Sequence, residues 1–272
     1  MAENTTLTVA VLSGKGGVGK SNLALNISFA LSRKGAKVLL MDCDLGLANL
    51  DVLLGLTPTG NIQDILDSNL KAETVLVRVD QGLDLLPASS GVVESFNDQH
   101  LMPALLAEKL DKLVGRYDYV IMDVGAGISP TVLNFAAMAM MRVLVVTPEP
   151  TSLTDSYALV KVLATRQGIR DHLVVVNQAE SAKQEEMTYK RLAAACSHFL
   201  NITPVHLGGV HNDSNLSEAV RVQRPMLLEY PNSRATKDFY ALGDKISKLR
   251  QNMLPRIAGL SPLHLPGSSA KN

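Results

Sequence analysis

LTVAVLSGKGGVGKSNLALNISFAL, residues 7 to 31, decides how this chain is read. An apolar run, Leu7 to Leu12, leads into Ser13-Gly14-Lys15-Gly16-Gly17-Val18-Gly19-Lys20-Ser21, after which Asn22 to Leu31 repeats its apolar residues at helical intervals. The spacing G-x-x-x-x-G-K-S between a strand and a helix is that of a phosphate-binding loop, and both flanking elements are those the motif requires. A ligand-free glycine turn is the plainer reading, and the Lys-Ser pair that closes the loop argues against it. Lacking Cβ atoms, Gly14, Gly16, Gly17 and Gly19 let the backbone curl so that successive N–H groups point at phosphate oxygens. The helix that starts near Lys20 and Asn22 adds its positive end. Lys20 is expected to reach the β- and γ-phosphates, and the Ser21 hydroxyl to complete a magnesium shell made mostly of phosphate and water oxygens. The candidate nucleotide-binding residues are therefore Gly14, Lys15, Gly16, Gly17, Val18, Gly19, Lys20, Ser21 and Asn22.

Working outward, Gly35 ends the first helix, and a second apolar strand, Lys37 to Met41, runs into Asp42-Cys43-Asp44. A third apolar run, Tyr119 to Met122, ends in Asp123, a Walker B arrangement in which that carboxylate would hold magnesium through a water. Carboxylates at the carboxyl ends of strands in an open parallel sheet lie beside the bound ligand. After Asp123, Gly125 and Gly127 flank Ala126 and offer small residues where a second switch segment could approach the γ-phosphate. Strand and helix go on alternating: Arg142 to Thr147 and a helix from about Ser152; Leu173 to Asn177 and a long polar helix from about Ala182 to Leu200; Pro204 to Val210 and Leu216 to Val222. This predicts an α/β fold, a doubly wound, mostly parallel sheet flanked by helices.

Lys15 is the departure from the general loop. The pattern K-G-G-x-x-G-K-S resembles the deviant phosphate loop of the MinD/ParA family, and MDCDLGLANLDVLLG from Met41 resembles its first switch segment. The resemblance implies ATP and magnesium as ligands, slow hydrolysis of ATP, and a homodimer formed with ATP in which Lys15 crosses to the partner's nucleotide. It implies that Asp44 orients the attacking water and that Asn177 hydrogen-bonds adenine, with Gly208 to Asp213 closing over the base. Asp42 either lies near the magnesium hydration shell or caps the turn that follows. Catalytic candidates are thus Lys15, Lys20 and Asp44, and the metal candidates are Ser21, Asp42 and Asp123. The absence of an N-K-x-D string also favours adenine over guanine. MDVGAGIS at Met122 to Ser129, TPEPTSLTDSYALVK at Thr147 to Lys161 and DLGLANLDVLLGL at Asp44 to Leu56 are similar to the FlhG (FleN) branch, regulators of flagellar number and placement. Flagellar regulatory or assembly proteins are the partners this implies. Met1 to Thr6 holds no DQAxxLR string, so stimulation of an FlhF-like GTPase by that route is not expected.

The 272 residues, 46% hydrophobic and 4% aromatic, suit one compact aliphatic α/β domain, expected over residues 1–253. Formal net charge is zero, which argues against a surface built wholly for nucleic acid. From Ser214 onward nine cations face four carboxylates, a balance that suits an anionic membrane or DNA, DNA being the less favoured, or merely solvated helix faces. Two cysteines without a C-x-x-C spacing fit a reducing cytosol and no cluster or metal site. Neither a leader peptide nor a run of roughly 20 apolar residues is present, so the expected location is cytoplasmic, at most peripheral at the inner membrane face in the ATP state. Phe239, Leu242, Ile246, Leu249 and Met253 recur at helical spacing and would suit either a lipid interface or packing on the sheet. Residues 254–272, broken by Pro255, Gly259, Pro262 and Pro266, are expected to form a poorly ordered tail. A division or DNA-positioning ATPase and a small-molecule enzyme using the same loop are the alternative functions.

Overall fold

The computed structural model describes residues 4–67, 70–88 and 102–263. Eight strands form one sheet in the order β3-β4-β2-β5-β1-β6-β7-β8: β1 (Leu7–Ser13), β2 (Val38–Cys43), β3 (Val77–Asp80), β4 (Leu83–Leu86), β5 (Tyr119–Ala126), β6 (Met141–Val146), β7 (Leu173–Ala179) and β8 (Val205–His211). Every pairing is parallel except the edge hairpin β3–β4. No element is expected there from the sequence: Val77-Arg78-Val79-Asp80 does alternate, but over four residues only, the shortest run that carries a strand signal.

Side chains alternate across β1. Leu7, Val9 and Val11 enter the core shared with α1 (Lys20–Ser32) and α10 (Arg234–Ile257). Ala10 and Leu12 enter the opposite layer, with α3 (Ile62–Asp67), α4 (Met102–Val114), α5 (Pro130–Met138), α6 (Pro150–Gln167) and α7 (Ala182–Leu200). Because both faces are covered, the strands read as unbroken apolar runs. The short helices α2 (Leu50–Leu54), α8 (Ser214–Arg221) and α9 (Met226–Glu229) complete the α1 side. From central β1 the chain crosses to β2 on one side, and from β5 it crosses to β6 on the other. The crevice at the carboxyl ends of β1 and β5 is therefore where such a sheet takes a ligand.

At the C-terminus the structure takes one of the two alternatives left open for the apolar stripe and carries the last helix past residue 253. The stripe of α10 is not a lipid-facing surface: Phe239, Leu242 and Ile246 are buried against α1 and β8. The boundary expected at residue 253 falls inside α10, which continues through Pro255 to Ile257. Pro255 stands in the last turn, where its missing amide removes one rung only, and buried Ile257 holds that turn down. The following residues cross beneath the sheet. Gly259 N–H donates to Asn4 O at 2.9 Å, Thr8 Oγ1 donates to Pro262 O at 2.9 Å, and Leu263 is buried in the opposite core layer. The remainder of the expected tail, residues 264–272, lies outside the described residues. Among those described, no helix is long and apolar enough to cross a membrane.

Candidate functional site

The loop between β1 and α1 is fixed by two close approaches. A Cβ on Gly14 would stand 2.2 Å from the backbone carbon of Asp155, so the loop's start lies against the second turn of α6. Gly19 has φ +86°, and a Cβ there would stand 2.3 Å from Asn177 Nδ2. The Asn177 amide, buried at the end of β7, donates to Val18 O at 2.7 Å. In this arrangement Asn177 braces the loop through one N–H of its amide, which keeps its second N–H and its carbonyl oxygen for any contact with a base.

Lys20 reaches across to β5 and places Nζ 2.6 Å from Asp123 Oδ1, both side chains being almost wholly buried. Burial pushes the Asp123 carboxyl up, while Lys20 and a hydrogen bond from Ser21 oppose that rise. Asp42 is opposite Asp123 in the β2–β5 register. Its carboxyl is pushed up to about 7 by burial and then by the charge of Asp123. The Asp42 carboxylate accepts from the N–H groups of Asp44 at 3.1 Å, Asn49 at 3.0 Å and Leu50 at 3.2 Å, which ties down the segment between β2 and α2. These three contacts are those of a turn cap, and the register beside Asp123 keeps Asp42 next to the expected magnesium site as well.

Asp44, partly exposed, accepts from Leu47 N–H at 3.3 Å. It faces a cavity of about 730 Å³ whose lining includes Gly17, Lys20, Ser21, Asn22 and Gly125. That volume is in the range of sites that enclose small organic ligands. Lys15 turns away from it: Nζ donates to Glu149 Oε2 at 2.5 Å and to Thr151 Oγ1 at 2.9 Å, at the start of α6. Gly127 N–H donates to Ser13 O at 2.9 Å, fastening the segment after β5 to the end of β1. Cys43 lies between the two aspartates, and burial and then Asp42 hold its thiol well above the usual range, which leaves it unreactive.

Comparison with known proteins places this geometry. Residues 6–177 match the family model described as an AAA domain. The chain is 35% identical over 238 residues to the antiactivator FleN of Pseudomonas aeruginosa, covering 88% of this chain and 85% of that protein. It is 33% identical over 261 residues to the flagellum site-determining protein YlxH of Helicobacter pylori, covering 93% and 86%. Among solved structures, the septum site-determining protein MinD of Pyrococcus horikoshii, complexed with Mg-ADP, superposes with a TM-score of 0.75 at 25% identity over 90% of this chain and 97% of that one. The chain belongs to the MinD/ParA family of P-loop ATPases. Within that family it stands close to FlhG.

Membership brings ATP and magnesium, and the residues present fit both. The carboxyl groups of Asp42 and Asp123 stand in register, and among the described residues Lys20 is the cation paired with them; a divalent cation held at the phosphates would add positive charge beside both and favour their ionised forms. Ser21 and Asp123 supply the hard oxygen donors magnesium prefers. Among the described residues no group of three or more His, Cys, Asp or Glu could hold a metal ion, so such an ion would rely on phosphate and water oxygens as well. Of the residues expected from sequence, the fold gathers Gly14 to Asn22, Asp42, Asp44 and Asp123 at one end of the sheet, with Asn177 behind the loop. Sequence reasoning missed Glu149 and Thr151 as partners of Lys15. The acid before proline at the start of α6, in TPEPTSLTD, is the one signal that could have found them.

Proposed function

We propose that this chain is an ATP-driven switch of the FlhG kind, which dimerises with ATP and sets the number or placement of flagella. The observation that carries the reading is the 35% identity to the antiactivator FleN across 88% of the chain, supported by the flagellum site-determining protein from Helicobacter pylori. In this reading the loop amides and Lys20 hold the phosphates, while Ser21 and Asp123 hold magnesium, which supplies charge neutralisation at the β- and γ-phosphates. Asp44 accepts a hydrogen bond from the attacking water and orients it in line, and Asn177 offers its free carbonyl oxygen to the adenine edge. Lys15 leaves Glu149 and Thr151 and reaches the nucleotide of a second copy. Hydrolysis removes the γ-phosphate contacts of both switch segments, and the subunits part. The turnover of one chain alone is slow, since half of the charge-stabilising lysines come from the partner. The protein works in the cytoplasm on flagellar regulatory or assembly proteins, with peripheral membrane contact in the ATP state.

Light scattering with ADP, and with ATP plus magnesium, tests this on the native chain and on Asp44→Ala. A monomer with ADP and a dimer with ATP, longer-lived in the variant, is the expected result. A monomer in every state removes the role given to Lys15. A second reading, a division or chromosome-positioning ATPase, is favoured by the likeness to the septum site-determining protein MinD, and salt-sensitive DNA binding by the ATP form would select it.

A further inference from the structure

The amino ends of β2, β4 and β5 open onto a second cavity, of about 710 Å³. It lies at the other end of the strands that carry Asp42 and Asp123. The length of β2, at roughly 3.3 Å per residue, separates the two sites by about 20 Å. Loops from three places meet there: the α1–β2 connection, the β3–β4 hairpin and the α4–β5 connection.

Four cations line this cavity, Arg33, Lys37, Arg78 and Arg116, against two carboxylates, Asp80 and Asp84. Each arginine is held from one side only. Arg33 Nη2 rests on Asp80 at 2.8 Å, Arg78 Nε on Asp84, and Arg116 Nη2 on Glu73 at 2.7 Å. Asp84 is itself oriented by the Tyr117 hydroxyl, which donates to it at 2.8 Å. A guanidinium has five N–H donors, so each arginine is pre-aimed by its carboxylate and keeps donors to offer. All three side chains remain about half exposed or more, at 48%, 69% and 60%. Lys37 has no ion pair among the described residues.

A plainer explanation is that these cations neutralise the carboxyl ends of α1 and α4, which finish here. The hydrogen bonds do not bear that out. The last-turn carbonyls of Phe29, Leu31 and Ser32 accept backbone N–H groups from Arg33 to Ala36. Those of Asp111, Leu113 and Val114 accept from Gly115 to Tyr117. The backbone closes both helix ends, and the guanidinium groups lie on carboxylates.

We propose that this cavity is a binding site for a small anion bearing phosphate groups, held by Arg33, Lys37, Arg78 and Arg116. With Glu73 on Arg116 counted beside Asp80 and Asp84, one positive charge remains in excess, which sets the sign of the ligand's charge. Its chemistry follows from the approach from three sides: a planar carboxylate presents two oxygens in one plane, whereas a phosphate presents three in a tetrahedral array that several forks can share. The site does not depend on the nucleotide loop.

The probe is inorganic pyrophosphate, titrated by calorimetry into the full chain in excess Mg-ADP so that the phosphate loop is already filled. Saturable one-to-one binding is expected. Joint replacement of Arg78→Gln and Arg116→Gln should weaken it by about ten-fold or more, the scale of one lost charge-assisted hydrogen bond. Lys37→Gln, which breaks no ion pair and so leaves the fold untouched, should weaken it by about three-fold. Lys190→Gln on α7 should change nothing. A parallel arm sediments the chain with vesicles of phosphatidylglycerol in phosphatidylcholine. Sedimentation lost in the same variants assigns the phosphate to a lipid headgroup, and pyrophosphate binding without sedimentation assigns it to a soluble ligand. The proposal is overturned by no saturable binding in either arm, by undiminished binding in Lys37→Gln and the double variant, or by an acidic peptide binding where phosphate does not.

Discussion

The two ends of the sheet handle charge in opposite ways. At the carboxyl ends, Lys20 and Asp123 form a single ion pair with side chains 8% and 1% exposed. At the amino ends, arginine–carboxylate pairs such as Arg33–Asp80 and Arg116–Glu73 stand in or near solvent. Burial makes the first kind of pair obligatory, because removing one partner strands a charge in a poor dielectric. Solvent makes the second kind nearly neutral for stability, so those cations are free to meet something else. Buried groups occur at the amino end as well, Arg250 on Asp118 with its side chain 14% exposed among them. His172, just before β7, is 3% exposed and is pushed down to about 4 by burial, then by the nearby Arg142 charge.

The sharpest way to break this contrast is Lys20→Met. It leaves Asp123 buried without its cation, and a loss of about 3 kcal/mol in unfolding free energy is expected at neutral pH, together with loss of nucleotide binding. The stability deficit should shrink in acid, where Asp123 takes up a proton and the stranded charge disappears. Urea midpoints at two pH values check both statements.

His172 gives the next largest effect, and its sign can be worked out. The unfolded chain binds a proton near pH 6.5 and the folded chain only near pH 4. Stability from this residue is therefore complete above the unfolded value and declines as pH falls towards the folded one. At about pH 5 the penalty amounts to about 2 kcal/mol. His172→Gln should lose less stability than the native chain between about pH 7.5 and pH 5, and equal losses would show that another group carries the acid sensitivity. The smallest effect belongs to Arg33→Gln, expected to shift stability by less than about 0.5 kcal/mol. A larger shift would mean that the amino end is organised by its ion pairs after all, and the contrast between the two ends would fail.

Legibility followed the same division. The loop from Gly14 to Asn22 and the aspartates 42, 44 and 123 were readable because local spacing and strand-end position define them. The β3–β4 hairpin was not, since its strands are four residues each, at the lower limit at which an alternation can be told from chance. The partners of Lys15 are 134 and 136 residues away along the chain, a separation no local pattern spans. The basic cavity draws on three distant connections for the same reason.

By itself the sequence determined the alternation of strand and helix, the phosphate loop and the acidic strand ends, because each is written in contiguous residues whose periodicity or conformational freedom acts locally. The tertiary structure alone decided three things. It chose the face for the apolar stripe of α10, which an amphipathic period leaves open between lipid and core. It brought the backbone N–H groups of Asp44, Asn49 and Leu50 onto the Asp42 carboxyl. And it set Lys15 on Glu149, since which charges meet depends on how the strands are ordered in the sheet, and that order is a property of the whole packed chain.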